Sequence, residues 1–374
     1  MNNIHIILKV TDACNLRCKY CYNSDSQYGG EVLSLERLKK FWTILAAKYN
    51  AIDIVWHGGE PLSAGVAYME EAMRLQSALH VDTGIRFTNE VQTNGTLIDA
   101  EWVSFFKRHH WGVGISFDGI QNDKYRQQGE KTLRGMRLLR DAGLRFGVLA
   151  VVADADYDVL ANYRYFADMH VPVDFSPVFC EGAAKGIAPL PVEKYSEDMV
   201  RLFDTWLYDR DGVSVRVFNS YIAMLLNSNM RVCTHGSCLG KYLSISANGN
   251  VYNCGRESVK AYPFGHIDDV NSVDDLFGSE GFRALLLGSI QRRAQCKASC
   301  EWFERCCGNC ADAALTEQGL STPPPEACHQ FRTVFGHVQQ VFTRLMDEKV
   351  PLEQLNPSIK TTYAKCFAVS GDAD

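Results

Sequence analysis

Three cysteines, Cys14, Cys18 and Cys21, stand at C-x3-C-x2-C near the N-terminus, in the run CNLRCKYC. Thiolates so spaced are metal ligands, yet three are one short of the four donors that close a structural zinc site. No fourth donor is at hand, because His5 falls on the preceding run IHIILKV and His57 belongs to a different loop, so zinc is the weaker alternative. A four-iron, four-sulfur (4Fe-4S) cluster fits better: three thiolates leave one iron with an open position that takes a small chelating ligand.

A second set of cysteines lies towards the C-terminus. Cys233, Cys238, Gly249 and Cys254 read C-x4-C-x10-G-x4-C, Cys296, Cys300, Cys306 and Cys310 read C-x3-C-x5-C-x3-C, and seventeen residues separate Cys310 from Cys328. Fourteen cysteines in 374 residues is a high share, and grouped thiols in a reducing compartment point to metal before disulfides. Structural zinc is again the plain rival. The isolated Cys180 and Cys366 read as small buried hydrophobes.

The elements that position these groups follow from hydrophobic periodicity. Up to about residue 177, the β-branched runs IHIILKV, IDIVWH, IRFTNEVQ, WGVGISF, FGVLAVVA and VPVDFSPV alternate with helical patterns such as LSLERLKKFWTILAAKYN and KTLRGMRLLRDAG. Six β/α units in a row predict a parallel sheet, curled towards an open or closed barrel by right-handed crossovers. Gly143 marks a helix end, and Asp99 or Asp154 offers a cap for the following helix. The trio then follows strand one, at the C-terminal mouth where such folds place chemistry. Beyond residue 190 two helices, PVEKYSEDMVRLFDTWLYDRD and VFNSYIAMLLN, precede a hairpin at YLSISANGNVYNC that turns at Asn248-Gly249 and links Cys238 to Cys254. A last helix covers FRTVFGHVQQVFTRLMDE. The expected division is 1–190 for the β/α part, 191–232 for a helical bridge, 233–335 for the cysteine-rich part, and 336–374 for a final helix and tail.

Composition excludes several classes. A net charge of −6 gives no field suited to nucleic acid or an anionic membrane. No apolar run approaches the roughly 20 residues that span a bilayer, and IHIILKV is too short for a signal peptide, so a cytoplasmic location is expected.

The trio, with Tyr20 before its last cysteine, resembles the signature of the radical S-adenosylmethionine (SAM) superfamily over roughly residues 4 to 180. That resemblance implies a partial (β/α)6 TIM-type barrel, with SAM chelating the open iron and cleaved to a 5′-deoxyadenosyl radical that abstracts hydrogen. HGGEP at 57–61 is similar to the family's glycine-rich motif, which implies that Gly58, Gly59 and Glu60 hold SAM's amino group. QTNGT at 92–96 and SFDG at 116–119 end the next two strands, so Asn94 and Ser116 match polar SAM contacts. Arg126 resembles the arginine that pairs with SAM's carboxylate, and Phe175 stands where an apolar residue packs near adenine. Asp118 is a candidate catalytic acid or base.

The later cysteines resemble the SPASM extension, with two auxiliary 4Fe-4S clusters that make three clusters in all. The carry-over gives Cys233, Cys238, Cys254 and Cys310 to the first and Cys296, Cys300, Cys306 and Cys328 to the second, leaving Cys180, Cys307 and Cys366. Here Cys296 and Cys300 are separated by three residues where the family has two, and Cys306-Cys307 leaves the register ambiguous. Clusters saturated with thiolates serve electron transfer.

SPASM enzymes modify peptides or proteins, so a precursor peptide or protein is the expected substrate, a flavodoxin or ferredoxin the expected electron donor, and a separate leader-binding protein an optional partner. Length and motif order resemble anaerobic sulfatase maturases, which make formylglycine from Cys or Ser. Those enzymes carry an acid directly after the hairpin cysteine, whereas here Gly255-Arg256-Glu257 follow Cys254, leaving Glu257 as a displaced candidate. The short lead-in before strand one fits compact maturases that crosslink ribosomal peptides. Oxidative crosslinking is the favoured expectation, formylglycine formation the second, and a non-catalytic iron-sulfur or zinc protein the third.

Overall fold

The computed structural model describes residues 2–23, 30–226, 233–236 and 238–368. Its frame is a series of β/α units: β1 (Asn3–Thr11), α1 (Leu35–Ala46), β2 (Ala51–Gly58), α2 (Val66–Thr83), β3 (Arg86–Thr93), α3 (Ala100–His109), β4 (Gly112–Ser116), a short α4 (Asn122–Tyr125), α5 (Gly129–Asp141), β5 (Phe146–Val152), α6 (Val159–Asp168) and β6 (Val173–Pro177). Neighbouring strands from β1 to β6 all pair in parallel, as strands joined by helical crossovers do.

Alternation along each strand separates a core face from an interior face. Ile4, Ile6 and Leu8 of β1 and Ile52, Ile54 and Trp56 of β2 join Phe41 and Trp42 of α1 and Met69 of α2 in one core. The other face carries His5, Ile7 and Lys9 on β1, Asp53, Val55 and His57 on β2, and Thr88, Glu90 and Gln92 on β3. In β/α barrels this is the enclosed side. Here it is polar, and β4 offers it glycine: a methyl group on Gly114 would lie 2.3 Å from Gln92 Oε1, and one on Gly112 2.8 Å from Glu90 Cγ.

The sheet does not stop at β1. Strand β7 (Tyr242–Ile245) pairs in parallel with β1, and β8 (Asn250–Tyr252) and β9 (Gly265–His266) follow it, giving the order β6-β5-β4-β3-β2-β1-β7-β8-β9. The barrel is therefore partial, with β6 and β9 as edges. The hairpin is where the sequence places it, and Gly249 turns at φ +96°. Its attachment to β1 has no sequence signal.

Helices α7 (Val192–Leu207), α8 (Arg216–Leu226), α9 (Val273–Phe277), α10 (Glu280–Ser299), α11 (Phe303–Cys306), α12 (Ala311–Glu317), α13 (Pro325–Asp347) and α14 (Pro357–Ala368) complete the chain. Helix α13 packs on both α7 and α8 and runs unbroken through 335 and 336, so the division expected there falls inside one helix. Residues 227–232 of the expected bridge and 369–374 of the tail lie outside the described residues. Helix α10 is absent from the expected elements. Leu285 is buried while Leu287 and Ile290 are exposed, so its apolar side chains do not keep to one face and leave no helical period to read. Asp99 caps α3, but α6 is capped by Asp158. Asp154 instead binds Lys124 and Tyr125. Gly143, at φ +72°, ends α5 as expected. Among the described residues no helix is long and apolar enough to cross a membrane.

Candidate active site

The glycine-rich motif at the end of β2 is fastened to the loop that carries Cys14. Gly59 N–H donates to Thr11 O at 2.8 Å and Glu60 N–H to Ala13 O at 2.7 Å. A methyl group on Gly59 would meet Ala13 O at 2.1 Å, and one on Gly58 would meet Thr11 O at 2.3 Å. The close approach that requires glycine is thus to the cysteine loop itself. The Glu60 side chain is buried and committed: Oε1 accepts from Leu62 N–H at 3.0 Å and Thr93 Oγ1 at 2.6 Å, and Oε2 from Asn94 N–H at 2.8 Å. These bonds tie β2 to β3.

Beside Cys14, Asn94 Nδ2 donates to Asn15 Oδ1 at 2.8 Å, and Asn15 Nδ2 to Thr96 Oγ1 at 2.7 Å. Ser116 accepts from Gln92 Nε2 at 2.8 Å on the interior face. Asn94 and Ser116 therefore stand at neighbouring strand ends, as expected. Asn15, which shares the Asn94 network, has no motif signal of its own between the flanking cysteines.

Tyr20, Asp118 and Arg126 form one buried array. The Tyr20 hydroxyl donates to Asp118 and accepts from Arg126 Nη1 at 2.8 Å. Asp118 Oδ1 also accepts from Val151 N–H at 3.0 Å, and the residue is wholly buried. Both carboxylate oxygens are engaged, so Asp118 holds Tyr20 and the end of β5 together. Burial opposes the charge on Arg126, but Tyr20, Cys18 and Asp118 more than offset it and raise its pKa above the ordinary value, leaving a fixed cation beside the trio. Phe175 is 2% exposed and packs its ring on Tyr157 and Phe166 in the core.

The thiols sort by their electrostatic neighbours. Cys18 interacts with Cys21 and Cys21 with Cys14. Cys233 and Cys254 each interact with Cys238, and Cys310 with Cys254 and Cys238. Cys296 interacts with Cys300, Cys306 with Cys328 and Cys296, and Cys328 with Cys296 and Cys300. These neighbour relations follow the expected trio and two quartets, and Cys306 stands beside Cys328 and Cys296. Burial pushes Cys254 and Cys306 up to about 12, a penalty that a bound cation reverses by holding the thiolate. Leu16 N–H and Asn253 Nδ2 point at Cys14 and Cys238 Sγ, at 3.4 and 3.3 Å. All-cysteine donor sets with N–H groups aimed at sulfur fit iron-sulfur clusters. Among the described residues no three His, Cys, Asp or Glu side chains close on a single metal ion. Cys366 is buried as expected, but Cys180 is exposed, because it lies on the loop after β6.

Between the trio and the hairpin lies a cationic chamber. Lys9 and His57 are paired in register on β1 and β2. Burial, then the charges of Lys9 and Arg256, push His57 down to about 4, and Gly58 N–H donates to its Nδ1 at 2.8 Å, so the ring is neutral at pH 7. The Arg256 guanidinium stacks 3.2 Å from the centroid of Phe179 and 5.1 Å from that of Tyr22. Glu257 faces this chamber but lies 3.0 Å from Lys260 Nζ, so its carboxylate is paired. His57 opens the HGGEP motif, whereas Lys9, Tyr22 and Arg256 carry no motif of their own, although Lys9 interrupts an apolar strand.

The comparisons with known proteins agree with this geometry. Residues 8–155 match the model of the radical SAM superfamily. The serine-type anaerobic sulfatase-maturating enzyme of Klebsiella aerogenes is 31% identical, the match covering 71% of this chain and 70% of that one. The enzyme of the same description from Bacteroides thetaiotaomicron is 28% identical over 93% of both chains. The solved structure of native anSMEcpe with bound AdoMet superposes with a TM-score of 0.80 at 25% identity, covering 92% of this chain and 98% of that one.

Proposed function

Since the chain belongs to the radical SAM superfamily, alongside the anaerobic sulfatase-maturating enzymes, we propose that it matures a ribosomally made peptide by a two-electron oxidation that joins two of its side chains. It is a radical SAM enzyme, and the family carries a 4Fe-4S cluster and SAM. In this reading Cys14, Cys18 and Cys21 hold that cluster, the two quartets hold auxiliary clusters, and Arg126, Asn94 and Ser116 face SAM. When bound, these groups supply a radical that takes one hydrogen atom from the peptide and a path for the electron released as the second hydrogen leaves as a proton. A flavodoxin- or ferredoxin-type donor would supply the reducing electron.

The protein's own contribution is placement. Glu60 and the motif glycines set the height of the Cys14 loop over the sheet, the Tyr20–Asp118–Arg126 array fixes a positive charge beside Cys18, and the polar interior, widened at Gly112 and Gly114, accepts a peptide backbone.

The observation that favours crosslinking over formylglycine is the missing acid directly after the hairpin cysteine: Gly255 follows Cys254, and the displaced candidate Glu257 lies 3.0 Å from Lys260 Nζ. Formylglycine formation is the second reading, supported by similarity that spans nearly the whole Bacteroides enzyme. Anaerobic reconstitution tests the general reading, with about twelve irons per chain expected from three four-iron clusters and 5′-deoxyadenosine formed on adding SAM and reductant. Zinc in place of iron, or a loaded protein that leaves SAM intact, would sink it. The mass of the treated precursor peptide separates the two products. Loss of two hydrogens with all residues retained marks a crosslink, whereas conversion of Cys or Ser to formylglycine marks the alternative.

A further inference from the structure

Lys9 is 2% exposed, and its Nζ meets no hydrogen-bond acceptor. Its electrostatic neighbours include the carboxylates of Glu257 and Asp12, but neither closes on it as an ion pair. Its nearest compensation is the Tyr22 ring, 5.6 Å from Nζ to centroid, a contact weaker than an ion pair. A buried ammonium without a partner costs several kcal/mol, so a protein keeps one where something else supplies the anion.

The position of this cation is informative. Lys9 is an electrostatic neighbour of both Cys21 and Cys254, so it stands between the trio and the first quartet. Arg256 reaches the same space: it acts on Tyr22 and His57, as Lys9 acts on His57. Arg256 Nη1 is likewise buried without a hydrogen-bond partner, and Asp312 is 4.0 Å from its Nε. Gly255 brings the hairpin's exit against β1, since a methyl group there would lie 3.0 Å from Ile7 Cγ2 and 3.4 Å from Lys9 Cε. Two cations with unused N–H donors, on β1 and on the hairpin's exit, suit a planar anion with two oxygens.

We propose that Lys9 and Arg256 form a carboxylate-binding pair for the peptide, so that the substrate presents an acidic side chain or its free C-terminus beside the residue that is oxidised. This rests on the reading of the chain as a peptide maturase and names a feature of its substrate. The carboxylate fills the missing partner of Lys9 and anchors the peptide between the radical source and the first auxiliary quartet.

The test uses the reconstituted holoenzyme with SAM under anaerobic conditions. The probes are fluorescein-labelled nonapeptides of Gly and Ala around a central Cys, pooled with Glu at every other position in turn. Twin pools carry Gln, and each pool is made as a free acid and as a C-terminal amide. Fluorescence anisotropy is expected to show the Glu amides, or the Gln free acids, binding about tenfold or more tighter than the Gln amides. Which pool gains identifies the source of the carboxylate. Lys9→Met and Arg256→Met should each erase that preference. Equal or absent binding of all four pools overturns the proposal, as does weaker SAM binding by Lys9→Met in calorimetry, which would assign the pair to the cofactor's own carboxylate. Lys9→Met should also raise the melting temperature of the peptide-free protein by removing an unpaired buried charge; a fall would make Lys9 a structural residue and overturn the proposal. Failure of the maturase reading shows separately, as an absence of 5′-deoxyadenosine.

Discussion

At the scale of single residues, the structure divides the motif positions into groups that face the chemistry and groups that hold them there. The cysteine spacings were legible because ligand geometry imposes them on the sequence. The hydrogen bonds of Glu60 and Asp118 and the packing of Phe175 were not legible, because a motif match does not reveal whether a polar atom is already taken or a ring already packed. This makes Asp118→Asn informative. The amide's N–H group would face one of two donors, Tyr20 O–H or Val151 N–H, and a loss of about 1 to 3 kcal/mol is expected in denaturant unfolding, with Tyr20 and Arg126 loosened. Cys14→Ala should remove about four irons and end SAM cleavage. Cys328→Ala should lower iron content while SAM cleavage persists and peptide turnover falls; intact iron in either variant would refute the assignment.

At the scale of elements, the two kinds of glycine make opposite predictions. Gly59→Ala drives a methyl group to 2.1 Å from the backbone oxygen of Ala13, which has nowhere to go, so the Cys14 loop must lift; cluster loading at the trio should fail while the auxiliary iron remains. Gly114→Ala meets the end of a flexible glutamine at 2.3 Å, so the fold should tolerate it with a penalty of about 1 kcal/mol or less. Its effect should fall on peptide binding, through a narrower interior. The strands and most helices could be read from their periodicity. Helix α10 could not, because Leu287 and Ile290 face outward, nor could the pairing of β7 with β1, because a parallel partner leaves no local mark on either strand.

At the scale of the whole molecule, stability should depend on pH through the chamber. An unfolded histidine titrates near about 6.5, and His57 in the folded chain near about 4. Above the first value both states are neutral. As pH falls, the unfolded chain takes up its proton first, so stability drops between the two values and levels off below the lower one, by up to about 3 kcal/mol. Thermal melting from pH 7 to 4 should show this limb, and His57→Gln should flatten it.

The joining of β7 to β1 also governs timing. His5 pairs with Tyr242, residues more than two hundred positions apart, and at about 5 to 20 residues per second a ribosome needs on the order of 10 to 50 s to make the intervening chain. Throughout that interval the outer edge of the first strand is bare, and an uncovered edge invites pairing with other chains. A nascent or truncated chain that ends after Leu226 should therefore aggregate, and the first strand gains its second neighbour only when synthesis is nearly two-thirds done.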